Sequence, residues 1–187
     1  DGKSFTTRRI KVIQNGKAIF NMDCSFQVGE EGLSHQMDGP NFSAPDETKM
    51  APGLKTRPFL SFREDHKKLL VEEPQEPVQN VWIKANGTAP DDPRIHMALL
   101  AYQSDEALLG TARMPHRGQY DRERMQVASL DHSIWFHSVV NVNDWLLYSL
   151  DSPAAEGARG YTRGSVYGEG GQLVASCMQE GLIRLHS

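Results

Sequence analysis

The first 27 residues alternate apolar and polar side chains about a sharp turn. The arms Ser4–Gln14 and Lys17–Gln27 are rich in Phe, Ile, Val and Thr, and Asn15-Gly16 sits between them. Asn-Gly supports positive φ at both central positions of a two-residue turn, so the segment predicts a β-hairpin. Residues 28–58 change character, with Gly, Pro, Ser, Asp and Glu dominating a stretch such as Gly39-Pro40-Asn41-Phe42-Ser43-Ala44-Pro45-Asp46, and read as a connection. A strand is predicted over Thr56–Arg63. A polar stretch with Pro74 and Pro77 follows, then a second strand, Val78–Ala85, ended by Asn86-Gly87.

The pattern then shifts to helical spacing. Asp92 suits an N-cap and Pro93 the first helical position. Ile95, Ala98, Leu99, Tyr102 and Leu109 recur at intervals that place them on one stripe, which predicts a helix running to about Leu109 and ending near Gly110. Strand patterns return at Met125–Leu130, Asp144–Asp151, Arg159–Tyr167 and Gln172–Arg184, with Glu169-Gly170-Gly171 as the turn of a second hairpin. One helix followed by several antiparallel strands predicts an α+β domain with a sheet wrapped on a helix.

The two hairpins resemble each other. Thr7-Arg8 and Thr162-Arg163 open matching arms, the turn glycines Gly16 and Gly171 each lie nine residues beyond the Thr, and Ala18-Ile19 parallels Leu173-Val174. This spacing points to a duplicated fold. The second hairpin is preceded by strands and a helix, whereas the first begins almost at residue 1, so the expectation is that the first copy lacks its N-terminal part.

Composition narrows the classes. The chain has 187 residues, 39% of them apolar, with three Trp, five Tyr and seven Phe, enough to build a core. A formal charge of −4 and a pI near 6.0 argue against a nucleic-acid binder. Cys24 and Cys177 make no disulfide framework and read as buried thiols in a reducing compartment. No run approaches the ~20 apolar residues of a membrane helix. With no signal-peptide pattern and no peroxisomal ending at Leu185-His186-Ser187, the cytoplasm is the default expectation.

Three polar residues stand out by position. Asp105 lies at the edge of the helix stripe, where it is either a functional carboxylate or a solvent-facing one near a helix end. Gln179 shares the odd-numbered face of the last strand with Leu173, Ala175, Cys177, Gly181 and Ile183, as a functional amide or a core amide satisfied by backbone. Ser129 lies in Val127-Ala128-Ser129-Leu130-Asp131-His132-Ser133, where alternation is unclear. Asp131-His132-Ser133 contains triad residue types, but neighbours on an extended chain point to opposite sides. His132 and His137, five apart, match no common metal motif, and neither a phosphate-binding loop nor a nucleophile elbow is present.

Longer strings carry a resemblance. Ser129-Leu130-Asp131-His132-Ser133-Ile134-Trp135-Phe136-His137, Asp144-Trp145-Leu146-Leu147-Tyr148, Arg159-Gly160, Leu173-Val174-Ala175-Ser176 and Gln179-Glu180-Gly181-Leu182-Ile183-Arg184 closely resemble the acyl-CoA thioesterase II (TesB-type) family. Asp1-Gly2-Lys3-Ser4-Phe5, Arg8-Arg9, Gln14-Asn15-Gly16-Lys17 and Ser25-Phe26-Gln27 are similar to that family's first repeat. Val81-Trp82-Ile83-Lys84-Ala85-Asn86-Gly87 and Tyr102-Gln103-Ser104-Asp105 are similar to its second.

The resemblance implies a double hot dog, two antiparallel sheets each wrapped around a long central helix. Residues 1–44 would be the C-terminal part of a first hot-dog domain, 45–58 a linker and 59–187 the second domain. On that reading, the family's earlier strand and first central helix would be missing ahead of the first hairpin. The implied activity is hydrolysis of fatty acyl-CoA to fatty acid and CoA. The family's catalytic Asp, Thr or Ser, and Gln map onto Asp105, Ser129 and Gln179, which would hold a water against the thioester without an acyl-enzyme. An amide from the N-terminal end of a central helix would stabilise the oxyanion. No cofactor and no metal are implied, and the partners would be fatty acyl-CoA and further copies of the chain in a homo-oligomer. Two alternatives stay open: a hydratase or dehydratase of acyl thioesters, which would need an Asp–His pair, and a non-catalytic acyl-CoA-binding protein. Arg159 and Arg163 read either as partners of CoA phosphates or as a solvated strand face.

Overall fold

A computed structural model of the chain describes residues 2–41, 43–45, 57–63 and 71–186. Most of the expected linker, and Thr56 of the first strand expectation, lie outside the described residues. The chain divides into two compact units, Asp1–His35 and Gln36–Ser187.

The first unit is the expected hairpin. Strands β1 (Phe5–Gln14) and β2 (Lys17–Gln27) pair antiparallel with a register shift at Val12/Ile13. Asn15 and Gly16 have φ of 49° and 74°, the two positive values the turn requires. Arg9 and Asp23 form a cross-strand ion pair at 2.8 Å. Phe5, Ile13, Ile19 and Phe26 are each more than half exposed, so within its own unit this two-stranded ribbon buries little.

The second unit holds a seven-stranded antiparallel sheet built from β3 (Phe59–Phe62), β4 (Val78–Ala85), β5 (Met125–Ser129), β6 (Ser133–Phe136), β7 (Leu146–Glu156), β8 (Arg159–Gly168) and β9 (Leu173–Leu185). The order is β3-β4-β7-β8-β9-β5, and β6 also pairs with β9. One face packs on helix α1 (Pro93–Ser104) and the short α2 (Leu108–Ala112) through Val81, Ile83, Leu100, Leu108, Tyr148, Val166 and Cys177. The other face carries a smaller aromatic cluster of Trp82, Trp145 and Tyr167. The thirteen residues of β9 support two short strands end to end, β5 against Gly181–Leu185 and β6 against Ala175–Met178.

The helix differs from its expectation twice. Its start is as read: Asp92 accepts from the Arg94 amide at 2.9 Å and Pro93 opens the first turn. Its buried face, however, is His96, Leu100, Gln103 and Ser104, while Tyr102 is 65% exposed. These inward polar groups are satisfied in place. His96 Nδ1 accepts from the Val142 amide at 3.2 Å, and the Ser104 hydroxyl donates to the Ala101 carbonyl at 2.9 Å. Satisfied polar groups can occupy a core face that an apolar stripe alone does not identify.

The second difference is a break. Helix α1 stops at Ser104, and Ala107 takes a left-handed φ of 79° before α2 begins. The Ala107 carbonyl there accepts from the Thr111 amide and hydroxyl, both at 3.0 Å, and from Gln79 Nε2 at 3.3 Å. Side chains of α2 and the sheet thus hold the turn that interrupts the ladder. The break resets the helical phase, so that Leu108 is fully buried in place of the expected Leu109. Leu109 meets β9 at Gly181, where a Cβ would come within 2.0 Å of Leu109 Cδ2.

Candidate active site

The site forms where α1 ends and the partner of β9 changes. Between β5 and β6 the chain bends around Glu180: the Leu130 and Asp131 amides donate to the Glu180 carbonyl at 3.0 and 3.3 Å, and Asp131 Oδ1 accepts from the Glu180 amide at 2.8 Å. This pins Ser129 on one side of the bend and His132 on the other, with Gln179 between them on β9. The helix break delivers Asp105, the C-cap residue of α1, to the same place.

All three residues expected from the sequence meet. Ser129 Oγ donates to Asp105 Oδ1 at 3.3 Å, and Gln179 Nε2 makes a short hydrogen bond to the same oxygen. A carboxylate only accepts, so Gln179 must present its nitrogen to Asp105 and turn its carbonyl away. Gln179 is 1% exposed and its Oε1 is buried without a protein partner. Asp105 and Ser129 are exposed. Both bonds converge on Oδ1, which leaves Oδ2 for a ligand or water. A cavity of about 370 Å³ lined by Asp105, Glu106, Tyr102, Phe59 and Arg57 opens beside the carboxylate. Asp105 therefore faces solvent through a recess with apolar and charged walls.

Sequence spacing did not find His132. Its Nε2 lies 2.9 Å from Ser104 Oγ, whose own proton is given to the Ala101 carbonyl, so His132 Nε2 carries the hydrogen and donates. His132 Nδ1 is buried without a partner. Burial lowers the His132 pKa below its usual value, partly offset by Asp105 and Asp131, so the ring is neutral at pH 7. The imidazole is bound to Ser104, and no hydrogen bond joins it to Asp105 in the manner of an Asp–His dyad. No one-dimensional period links it to Asp105, because the two meet across the β5–β6 bend.

Behind the site the Tyr148 hydroxyl donates to the Ser104 carbonyl at 2.7 Å and lies 2.8 Å from Cys177 Sγ. Burial pushes the Cys177 thiol up to about 11 and Tyr148 well above its usual range, so both are neutral packing groups and Cys177 is not a poised nucleophile. Arg159 pairs with Glu180 at 3.4 Å and Arg163 with Asp151 at 2.7 Å on an exposed strand face. Among the described residues, no three His, Cys, Asp or Glu side chains gather as a metal would require, and no helix is long and apolar enough to cross a membrane.

A curled antiparallel sheet wrapped on a central helix is the architecture of a hot-dog protein. A conserved protein with hot dog fold from Alicyclobacillus acidocaldarius superposes with a TM-score of 0.75 at 13% identity, over 100% of this chain and 70% of that one. An acyl-CoA thioesterase II from Mycobacterium marinum superposes with a TM-score of 0.85 at 42% identity, over 100% of this chain and 71% of that one.

In sequence, the chain is 35% identical to acyl-CoA thioesterase 2 of Haemophilus influenzae over 98% of its own length and 70% of the relative's. It is 36% identical to acyl-coenzyme A thioesterase 8 of Mus musculus over 98% of its length and 65% of the relative's. The acyl-CoA thioesterase family model matches residues 61–182, and the chain belongs to that family of thioester hydrolases. It spans roughly two thirds of the length of these relatives, 70% and 65%.

Proposed function

We propose that the chain hydrolyses fatty acyl-CoA to a free fatty acid and CoA through a water held by Asp105, Ser129 and Gln179. The observation that carries this reading is the convergence of Ser129 Oγ and Gln179 Nε2 on Asp105 Oδ1. Two donors fix the carboxylate and leave Oδ2 as a base directed at a water. The orphaned Gln179 Oε1 is a second acceptor for that water, which would satisfy a buried group that otherwise costs free energy. Asp105 takes a proton as the water oxygen attacks the thioester carbonyl. The tetrahedral intermediate collapses, the C–S bond breaks, and the thiolate recovers the proton from Asp105.

The oxyanion needs a donor near Asp105. The amides that open α1 are not candidates within this unit, because twelve residues of helix, about 18 Å, separate them from its other end. Under the proposed double hot-dog architecture the donor would be an amide at the N-terminal end of a central helix other than this α1.

That architecture is a double hot dog with residues 59–187 as the second domain, 1–44 as part of the first and 45–58 as the linker. It is supported by the similarity of the two hairpins, which carry register shifts at Val12/Ile13 and Val166/Tyr167, a few residues beyond Thr7 and Thr162. A homo-oligomer in the cytoplasm completes the reading, with Cys24 and Cys177 as free thiols suited to a reducing compartment. Incubation with palmitoyl-CoA should yield equimolar free thiol and palmitate. Retention of the thioester, with water added across the double bond of trans-2-hexadecenoyl-CoA in a parallel incubation, would instead establish a hydratase.

A further inference from the structure

We infer that His132 is a positioning residue: by holding Ser104, the last residue of α1, it keeps Asp105 in place beside Ser129 and Gln179, a reading that rests on the thioesterase function proposed above. Asp105 needs such a hold. It is the C-cap residue of α1, where the free carbonyls of a helix end repel a carboxylate, and the last turn of α1 carries no basic residue to offset that repulsion. Asp105 is also exposed, and its bond from Ser129 is long, at 3.3 Å. A helix end of this kind frays unless its backbone groups find partners.

Those partners converge on Ser104, which is fully buried. Its hydroxyl donates to the Ala101 carbonyl at 2.9 Å and so caps one of the last carbonyls of the helix from within. Its own carbonyl accepts from the Tyr148 hydroxyl at 2.7 Å. The hydroxyl oxygen is then left as a buried acceptor, and His132 Nε2 donates to it at 2.9 Å. A serine at a helix end has other backbone groups to turn to, and the bond from His132 favours the rotamer that serves Ala101. Downstream, Thr111 and Gln79 fix the Ala107 carbonyl. Asp105 thus hangs between two anchored points, and the one next to it depends on His132 and Tyr148.

His132 is itself anchored to the strand that carries Gln179. The bend around Glu180 of β9 comes just before it, and Ser133 pairs with Met178 of β9 just after it. The bond from His132 to Ser104 therefore ties the end of α1 to the stretch of β9 that holds Gln179. It sets the separation of amide and carboxylate through the backbone, beyond their own contact, and small displacements of a catalytic group are costly to rate. The charged groups facing the imidazole are Asp105 and Asp131. Both favour a protonated ring and burial opposes it. A neutral Nε2–H donor suits the role, because a cationic ring beside Asp105 would weaken it as a base.

The test compares the full chain with His132→Ala, His132→Gln, His132→Asn, Ser104→Ala and the His132→Ala/Ser104→Ala double variant, each first shown to be folded by circular dichroism. Glutamine presents an N–H near the place of Nε2, whereas asparagine, shorter by a methylene, presents it near the place of Nδ1. His137→Ala is the control, since His137 Nε2 also lies 2.9 Å from a serine hydroxyl, that of Ser176, on the opposite face of β9 from Gln179. For hexanoyl-CoA, kcat should fall roughly tenfold or more in His132→Ala and His132→Asn, with KM within about threefold of the parent. His132→Gln should recover kcat to within about threefold of the parent, and the control should match it. Ser104→Ala should lose as much as His132→Ala, and the double variant no more than either, because the two act through one bond. Independently of turnover, imidazole nitrogen NMR at pH 7 should show His132 as the Nε2–H tautomer, with that resonance displaced in Ser104→Ala. A folded His132→Ala with the parent's kcat would overturn the proposal and leave the thioesterase standing. His132→Gln as slow as His132→Ala would also overturn it, since the ring would then carry a proton rather than hold Ser104. No thiol release by a parent that shows the Nε2–H signature would sink the hydrolase, leaving the hydrogen bond in place without the catalytic purpose inferred for it.

Discussion

Replacing Gln179 by Glu changes one atom pair at the centre of the site and almost no volume. The side chain is 1% exposed, and its nitrogen faces Asp105 Oδ1 within hydrogen-bond reach. The substitution sets a second carboxyl oxygen roughly 3 Å from the first. Two negative charges at that distance repel by about 5 kcal/mol at an effective dielectric of 20, equivalent to roughly four pKa units. The pair must therefore hold one proton at neutral pH, as closely placed carboxyl groups do. Asp105 then cannot act as a free base, and kcat/KM for hexanoyl-CoA at pH 7 should fall by about a hundredfold or more. Activity should recover as the pH is raised far enough to remove the shared proton.

Stability supplies an independent readout. The new carboxyl at position 179 has a folded pKa raised above its unfolded value near 4.3. Its contribution is intact below about pH 4 and is lost as pH rises through the raised value. The Tm gap between Gln179→Glu and the parent should accordingly widen from acid to neutral pH. An unchanged pH–rate profile, together with a Tm gap that does not depend on pH, would refute the bond between Gln179 and Asp105.

Other outcomes follow from the same geometry. Ser129→Ala removes a neutral donor 3.3 Å from Asp105 and should lower kcat about tenfold, while Ser129→Thr keeps the hydroxyl and should retain most activity, both read by steady-state kinetics. Gly181→Ala drives a Cβ into Leu109 and should cost about 1–3 kcal/mol, a fall in Tm of roughly 3–10 °C by calorimetry. Because burial holds the Cys177 thiol at about 11 while Cys24 is partly exposed, Ellman's reagent at pH 8 should titrate one thiol per folded chain and both in denaturant.

Much of this molecule is legible in its sequence because the strands obey period two. The alternation along β9 already places Gln179 among Ala175, Cys177 and Gly181, and all four are buried together. Asn15-Gly16 fixes its hairpin through backbone preference alone. The helix was harder for a specific reason. Its inward face includes His96, Gln103 and Ser104, polar residues satisfied by Val142, by Glu106 and by Ala101 with His132, so an apolar stripe points to Tyr102 instead. The break at Asp105–Ala107 has no Gly or Pro to announce it and depends on bonds from Thr111 and Gln79. His132 reaches Ser104 and the neighbourhood of Asp105 only after the β5–β6 bend has formed around Glu180. Strand β6, four residues in a string of mixed pattern, takes its conformation from pairing with β9.

The most direct test of the account is thiol release from palmitoyl-CoA and from a short acyl-CoA by the parent, Asp105→Asn and Gln179→Ala, each first shown to be folded by circular dichroism. The account requires release by the parent that falls at least a hundredfold in Asp105→Asn and is strongly reduced in Gln179→Ala. Folded variants that keep the parent's rate would contradict it and move the chemistry away from Asp105.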